Sequence, residues 1–119
     1  MTMSWIRTAA IFGFLGVALG AFGAHGLRGR IPEEMLSVYR TGVLYHLIHA
    51  VALLGVAIWG KLGSMDTSRP AYCFVAGIVL FSGSLYLMAF TGIKALGIIT
   101  PVGGLSFLAG WVLVATQKD

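Results

Sequence analysis

Four apolar runs, at about 5–24, 42–60, 70–90 and 96–116, contain no carboxylate. Glu33, Glu34, Asp66 and Asp119 all fall between these runs or at the chain end. Each run is close to the roughly 20 residues that an α-helix needs to cross the hydrocarbon of a bilayer. Backbone groups in lipid have no water to bond to, so a spanning segment of this length is expected to be helical. Composition agrees: 58% of the residues are hydrophobic, only 10% are charged, and the mean hydropathy is +0.91. A soluble domain has about 25% charged residues, which cover a surface facing water. The expected fold is therefore all-α: an integral membrane four-helix bundle, forming one transmembrane domain over residues 1–119 with the lipid bilayer as its solvent.

The flanks of the runs fit this reading. Trp5 and Arg7 anchor the first, Trp59 and Lys61 close the second, Arg69 precedes the third, and Lys118 follows the fourth. The first run also resembles a signal peptide in having a basic start and small residues at Ala21-Phe22-Gly23. Its regular glycine spacing favours packing in the mature protein. Between the first two spans, Pro32 suits the first turn of a helix, with Glu33 and Glu34 at its positive end. Met35, Val38, Tyr39 and Gly42 then share one stripe. This predicts a short amphipathic interfacial helix at 32–41, with a bend at Gly42 where it enters the second span. Pro70 is placed to start the third span, and Gly92 to cap its end. At Thr100-Pro101 the fourth span either kinks or begins its regular helix, with Thr100 as N-cap.

The net charge of +4 does not point to nucleic acid. A nucleic-acid binder gathers its basic residues on one face with aromatics, whereas here they are scattered singly at the ends of apolar runs. Lys/Arg bias sets orientation in a membrane. Arg7, Lys61, Arg69 and Lys118 fall on the side of the termini, and Arg28, Arg30, Arg40 and Lys94 on the other. The tie leaves orientation open. The single Cys73 allows no intrachain disulfide.

Glycines are placed for helix contact. Gly13, Gly16, Gly20 and Gly23 recur along one face of the first span, and Gly103, Ser106 and Gly110 along the fourth. Small residues let helix backbones approach closely, which drives association where no hydrophobic effect operates. These faces serve either internal packing or a homo-oligomer.

Polar residues inside spans are costly and mark candidate sites. His46 and His49 share a face of the second span, and His25 closes the first. Ser84, Tyr86 and Thr100 lie toward the same membrane side, so His25, His49, Ser84, Tyr86 and Thr100 are expected around one mouth of the bundle. Three roles are open to them: hydrogen bonds that fix helix packing, a polar cavity for a ligand, ion or proton, and metal or haem ligation. The last lacks ligands, because a zinc site needs three or four and no recognised spacing is present. No metal or cofactor is assigned. Ser82 and Ser84 have no aspartate partner in the spans, and neither a nucleophile elbow nor a phosphate loop occurs, so no catalytic residues are assigned. Small multidrug exporters of similar length couple protons through an intramembrane carboxylate, which these spans lack.

Four ordered motifs then carry a family likeness: Ala18-Leu-Gly-Ala-Phe-Gly-Ala-His25-Gly-Leu27, Tyr45-His-Leu-Ile-His49-Ala50, Leu80-Phe-Ser-Gly-Ser-Leu-Tyr86, and Thr100-Pro-Val-Gly-Gly-Leu-Ser-Phe-Leu-Ala-Gly-Trp111. Together they resemble the DUF423 family of small membrane proteins over nearly the whole chain. The resemblance implies a multi-pass protein, in bacteria of the cytoplasmic membrane, without an established activity. His25, His49, Ser82, Gly83, Ser84, Tyr86, Thr100, Pro101, Gly103, Gly104 and Trp111 fall on its motifs, and His46 is less tied to them. The expected function is non-enzymatic binding of a lipid, small solute or protein partner. The alternatives are an oligomeric transporter or channel subunit and, behind it, a metal- or haem-dependent membrane enzyme.

Overall fold

The computed structural model describes residues 4–118. Among these, four helical segments are long and apolar enough to cross a membrane: Trp5–Leu27, Glu33–Gly63, Ser68–Thr91 and Lys94–Thr116, here spans 1 to 4. Trp5 packs edge-on against Tyr72, and Gln117 reaches the Asp66 carbonyl, so these groups mark one end of the bundle. At the other end Phe22 meets Phe90, and Lys94 pairs with Glu34 at 3.5 Å. The bundle is 48 Å long and about half as wide. Span 1 packs mainly on span 2 and span 4 mainly on span 3, while spans 2 and 3 pack on each other and hold most of the buried residues.

Span 1 opens as α1, Trp5–Phe22, whose first turn is capped by Ser4 Oγ accepting the Arg7 N–H at 3.1 Å. It ends in a π turn, Gly23–Leu27. The change of ladder is built around Tyr39: its ring lies against Gly23, where a Cβ would collide, and its hydroxyl donates to the Leu19 carbonyl. The Leu19 carbonyl accepts this hydroxyl in addition to the Gly23 backbone N–H.

Span 2 is one α-helix, α2, Glu33–Gly63. Residues 33–41 are helical, but the helix does not break at Gly42, where a bend was expected. The glycine serves a different purpose there: a Cβ would meet the Tyr86 ring at 2.9 Å and Leu85 at 3.3 Å. The missing side chain lets span 3 approach, and the first turns continue the span rather than forming a separate helix. Met35, Leu36 and Tyr39 are buried against the bundle. At about 1.5 Å per residue, a helix of this length accounts for the long axis of the molecule.

Span 3 is α3, Ser68–Gly77, a π turn at Ile78–Ser82, and α4, Gly83–Thr91. Pro70 sits in its first turn, and Gly92 closes it in the left-handed conformation, φ 71°. Span 4 begins with a 3₁₀ turn, Lys94–Ile98, followed by α5, Thr100–Thr116, with Pro101 in the first turn. Of the two expectations at Thr100-Pro101, the start of the regular helix is the one observed. Thr100 is not its N-cap, which falls at Ile99; the Thr100 hydroxyl lies 2.6 Å from Ser84 Oγ instead.

The glycine faces are used unequally. A Cβ at Gly16 would meet Leu47 at 2.6 Å, and one at Gly20 would meet Val43 at 3.2 Å. One at Gly103 would strike the Phe81 backbone, and one at Gly110 would meet Phe74 at 2.6 Å. Gly13 has nothing within 4 Å of that position and opens on a lipid-facing groove beside Phe14 and Val51.

The core comes in two parts. Ala9, Leu53, Val56, Ala71, Phe74, Ile78 and Phe107 form one apolar cluster. Leu27, Met35, Leu36, Tyr39, Leu85, Met88 and Ala89 form the other, nearer the Lys94 end. Along α2 the first cluster takes residues from Leu53 onward and the second takes residues up to Tyr39. The segment between them carries His46 and His49.

Candidate functional site

The polar side chains fill this middle layer and tie the spans to one another. His46 stands between spans 1 and 3: Nε2 lies 2.8 Å from the Phe12 carbonyl and Nδ1 lies 2.8 Å from the Tyr86 hydroxyl. The carbonyl can only accept, so Nε2 carries a proton and the Tyr86 hydroxyl can donate to Nδ1. His49 faces span 4. Its Nδ1–H donates to the Tyr45 carbonyl at 2.8 Å, and its Nε2 accepts from the Trp111 indole N–H at 3.1 Å. This leaves His49 neutral, in the opposite tautomer to His46. Its ring also lies flat on Phe107, with centroids 3.6 Å apart and planes at 10°.

Three serines complete the layer. Ser82 Oγ donates to the Gly42 carbonyl at 2.7 Å, across from span 3 to span 2. Ser84 Oγ lies 2.8 Å from the Phe81 carbonyl and 2.6 Å from Thr100 Oγ1, which joins spans 3 and 4. Ser106 Oγ donates to the Cys73 carbonyl at 2.7 Å. Among the described residues, every buried side-chain nitrogen and oxygen has a partner. In lipid such bonds contribute roughly 0.6 kcal/mol each on average.

The five residues expected around one mouth are therefore distributed among several sets. Ser84 and Thr100 bond each other, Tyr86 bonds His46, and His49 bonds Trp111. His25 stands exposed in the π turn at the end of span 1. His46 and His49 point to different neighbours, and no group of three His, Cys, Asp or Glu comes together among the described residues. His46 and Trp111 matter more than the sequence suggested. The available signal for Trp111 was an indole N–H placed inside an apolar span, which needs an acceptor when buried.

Outside this layer, a groove of about 570 Å³ runs down the lipid-facing side between α2 and α5. Pro101, Gly104, Leu105 and Leu108 of α5 form one wall, and Tyr45 and Phe81 form the other. The stacked rings of His49 and Phe107, with Trp111, make the floor and far end. Gly104 holds the groove open, since a Cβ there would have only Phe81 nearby, at 3.8 Å. Tyr45 is 39% exposed and rests on Phe81, centroids 4.7 Å apart.

Fold and site together define a small multi-pass helical membrane protein, with an interior polar layer that is internally bonded and an aromatic groove open to lipid. The chain belongs to the DUF423 family, whose model, described as "Protein of unknown function (DUF423)", matches residues 19–104. The UPF0382 membrane protein YwdK of Bacillus subtilis is 47% identical over 114 residues, covering 92% of this chain and 91% of the relative. A UPF0382 membrane protein of Staphylococcus aureus is 40% identical over 116 residues, covering 96% and 95%. One of Haemophilus influenzae is 39% identical over 115 residues, covering 97% and 93%. No solved structure matches the chain.

Proposed function

We propose that this is a non-enzymatic protein of the bacterial cytoplasmic membrane that binds a lipid in the groove between α2 and α5. The observation that carries this is the groove itself: its volume of about 570 Å³ falls within the roughly 300–1,000 Å³ of small-molecule sites. Its lining is also of the kind such sites use, apolar and aromatic with very few polar groups. An acyl chain would lie along Gly104 and Leu108 against Phe107. The buried histidines and serines support this role indirectly. They hold spans 2, 3 and 4 in fixed register, so the groove keeps its shape without a ligand. Of the residues expected around a mouth, His49 lies under the groove floor, and the Ser84–Thr100 pair braces the end near Pro101.

A channel or transporter subunit would need a hydrated path. The central polar groups are instead bonded to one another and to backbone carbonyls. The test is labelling with a photoactivatable fatty acid in membranes, with the adduct mapped by mass spectrometry. Label is expected at residues 101–111 and should be lost in Gly104→Leu, which fills the groove. Gly13→Leu, which fills the other open groove, should leave it unchanged. Labelling of 101–111 that survives Gly104→Leu would overturn the assignment.

A further inference from the structure

We infer that the chain inserts into its membrane in both orientations, because its two helical hairpins carry opposed charge biases. The bundle has a terminal face, with Ser4, the 63–68 connection and Gln117, and a connection face, with the turns at 23–32 and 91–99. All eight Lys and Arg side chains are exposed, in the connections or in the outer turns of the helices, where they act on orientation. Spans 1 and 2 carry Arg28, Arg30 and Arg40 toward the connection face against Arg7 and Lys61 toward the terminal face. This hairpin favours the connection face inside by one charge. Spans 3 and 4 carry Lys94 toward the connection face against Arg69 and Lys118 toward the terminal face. That hairpin favours the terminal face inside, also by one charge.

The hairpins cannot each follow their own bias, because spans 2 and 3 are joined by a short connection and packed together. The whole-chain sums are four and four, so neither orientation gains. Acidic residues do not break the tie, since Asp and Glu contribute little to orientation. Neither does the interior, where no charged side chain is buried among the described residues. Both orientations therefore place the same uncharged layer in the bilayer.

The experiment is impermeant thiol labelling of intact cells, in a Cys73→Ala background. One cysteine is placed on each face: Gln117→Cys on the terminal face and Ala95→Cys on the connection face. Each is expected to label from outside at about half the level seen after permeabilisation. Lys94→Gln should lower outside labelling at Gln117→Cys roughly twofold or more, and Lys118→Gln should raise it, because each removes one charge from the balance. Labelling of only one of the two cysteines from outside overturns the inference. A mixture indifferent to both lysine substitutions overturns it as well.

Discussion

The Trp111 indole N–H donates to His49 Nε2 at 3.1 Å, which leaves that nitrogen unprotonated while Nδ1–H donates to the Tyr45 carbonyl. His46, one helical turn away, bonds the Phe12 carbonyl through Nε2 and therefore carries its proton on the other nitrogen. Imidazole ¹⁵N spectra of the protein in bilayers near neutral pH should show two buried neutral rings, His49 as the Nδ1–H tautomer and His46 as the Nε2–H tautomer. Trp111→Phe removes the donor to Nε2 but leaves the Tyr45 carbonyl acceptor, so His49 should stay the Nδ1–H tautomer with its Nε2 resonance shifted. The same tautomer for both rings in the unmodified protein would show that these bonds are not formed.

Gly103 and Gly13 look alike in the sequence but not in the bundle. A Cβ at Gly103 would collide with the Phe81 backbone, which cannot move aside as a side-chain tip can. Gly103→Ala is expected to cost about 1–3 kcal/mol, the usual range for overpacking. Gly13→Ala meets nothing within 4 Å, and should be neutral or stabilising by up to about 1 kcal/mol, as Ala is the better helix former. Unfolding in mixed micelles would compare the two variants; equal losses would refute the difference in packing.

Ser84 and Thr100 share one hydrogen bond across spans 3 and 4. A double-mutant cycle with Ser84→Ala and Thr100→Val should give a coupling near 0.6 kcal/mol and not above about 1.7, the range for such bonds in lipid. Independent effects would mean that the hydroxyls bond elsewhere.

Asp66 lies in the connection before span 3 and accepts from both the hydroxyl and the backbone N–H of Ser68. These bonds hold its carboxyl below the usual carboxylate range, with the hydroxyl the larger cause. A folded-state value below the unfolded one means that the ionised form supports the native connection. Its contribution is fully present above the ordinary Asp value of about 3.9 and is lost as pH falls through the lower folded value. The Ser68 amide resonance should therefore hold steady from neutral pH down to the ordinary Asp range and move only in stronger acid. In Asp66→Asn that movement should vanish. Movement in the His range instead would point to a different titrating group.

The four spans were legible because hydropathy is a property of whole segments and survives local error. Gly92 and Pro70 were legible because their backbone chemistry limits where they can sit. Other features depend on partners distant in sequence. Gly42 reads locally as a bend, and only the approach of Tyr86, 44 residues on, shows it as a contact point. The π turn at Ile78–Ser82 has no composition of its own; it lies where Ser82 bonds the Gly42 carbonyl and the Phe81 backbone meets Gly103. The polar residues were found as a group but not as pairs. Spacing along one helix says which residues share a face, not which neighbour each will meet.

The layer of histidines and serines between the two apolar clusters has a consequence for assembly. In lipid, greasy helix faces can slide along one another or rotate at little cost, since every position is equally well solvated. Bonds such as Ser82 to the Gly42 carbonyl and Trp111 to His49 form at only one offset of each helix pair. A slip of one residue breaks them together and strands several donors in hydrocarbon. The layer therefore acts as a vernier for the bundle, selecting one alignment from a ladder of otherwise equivalent ones.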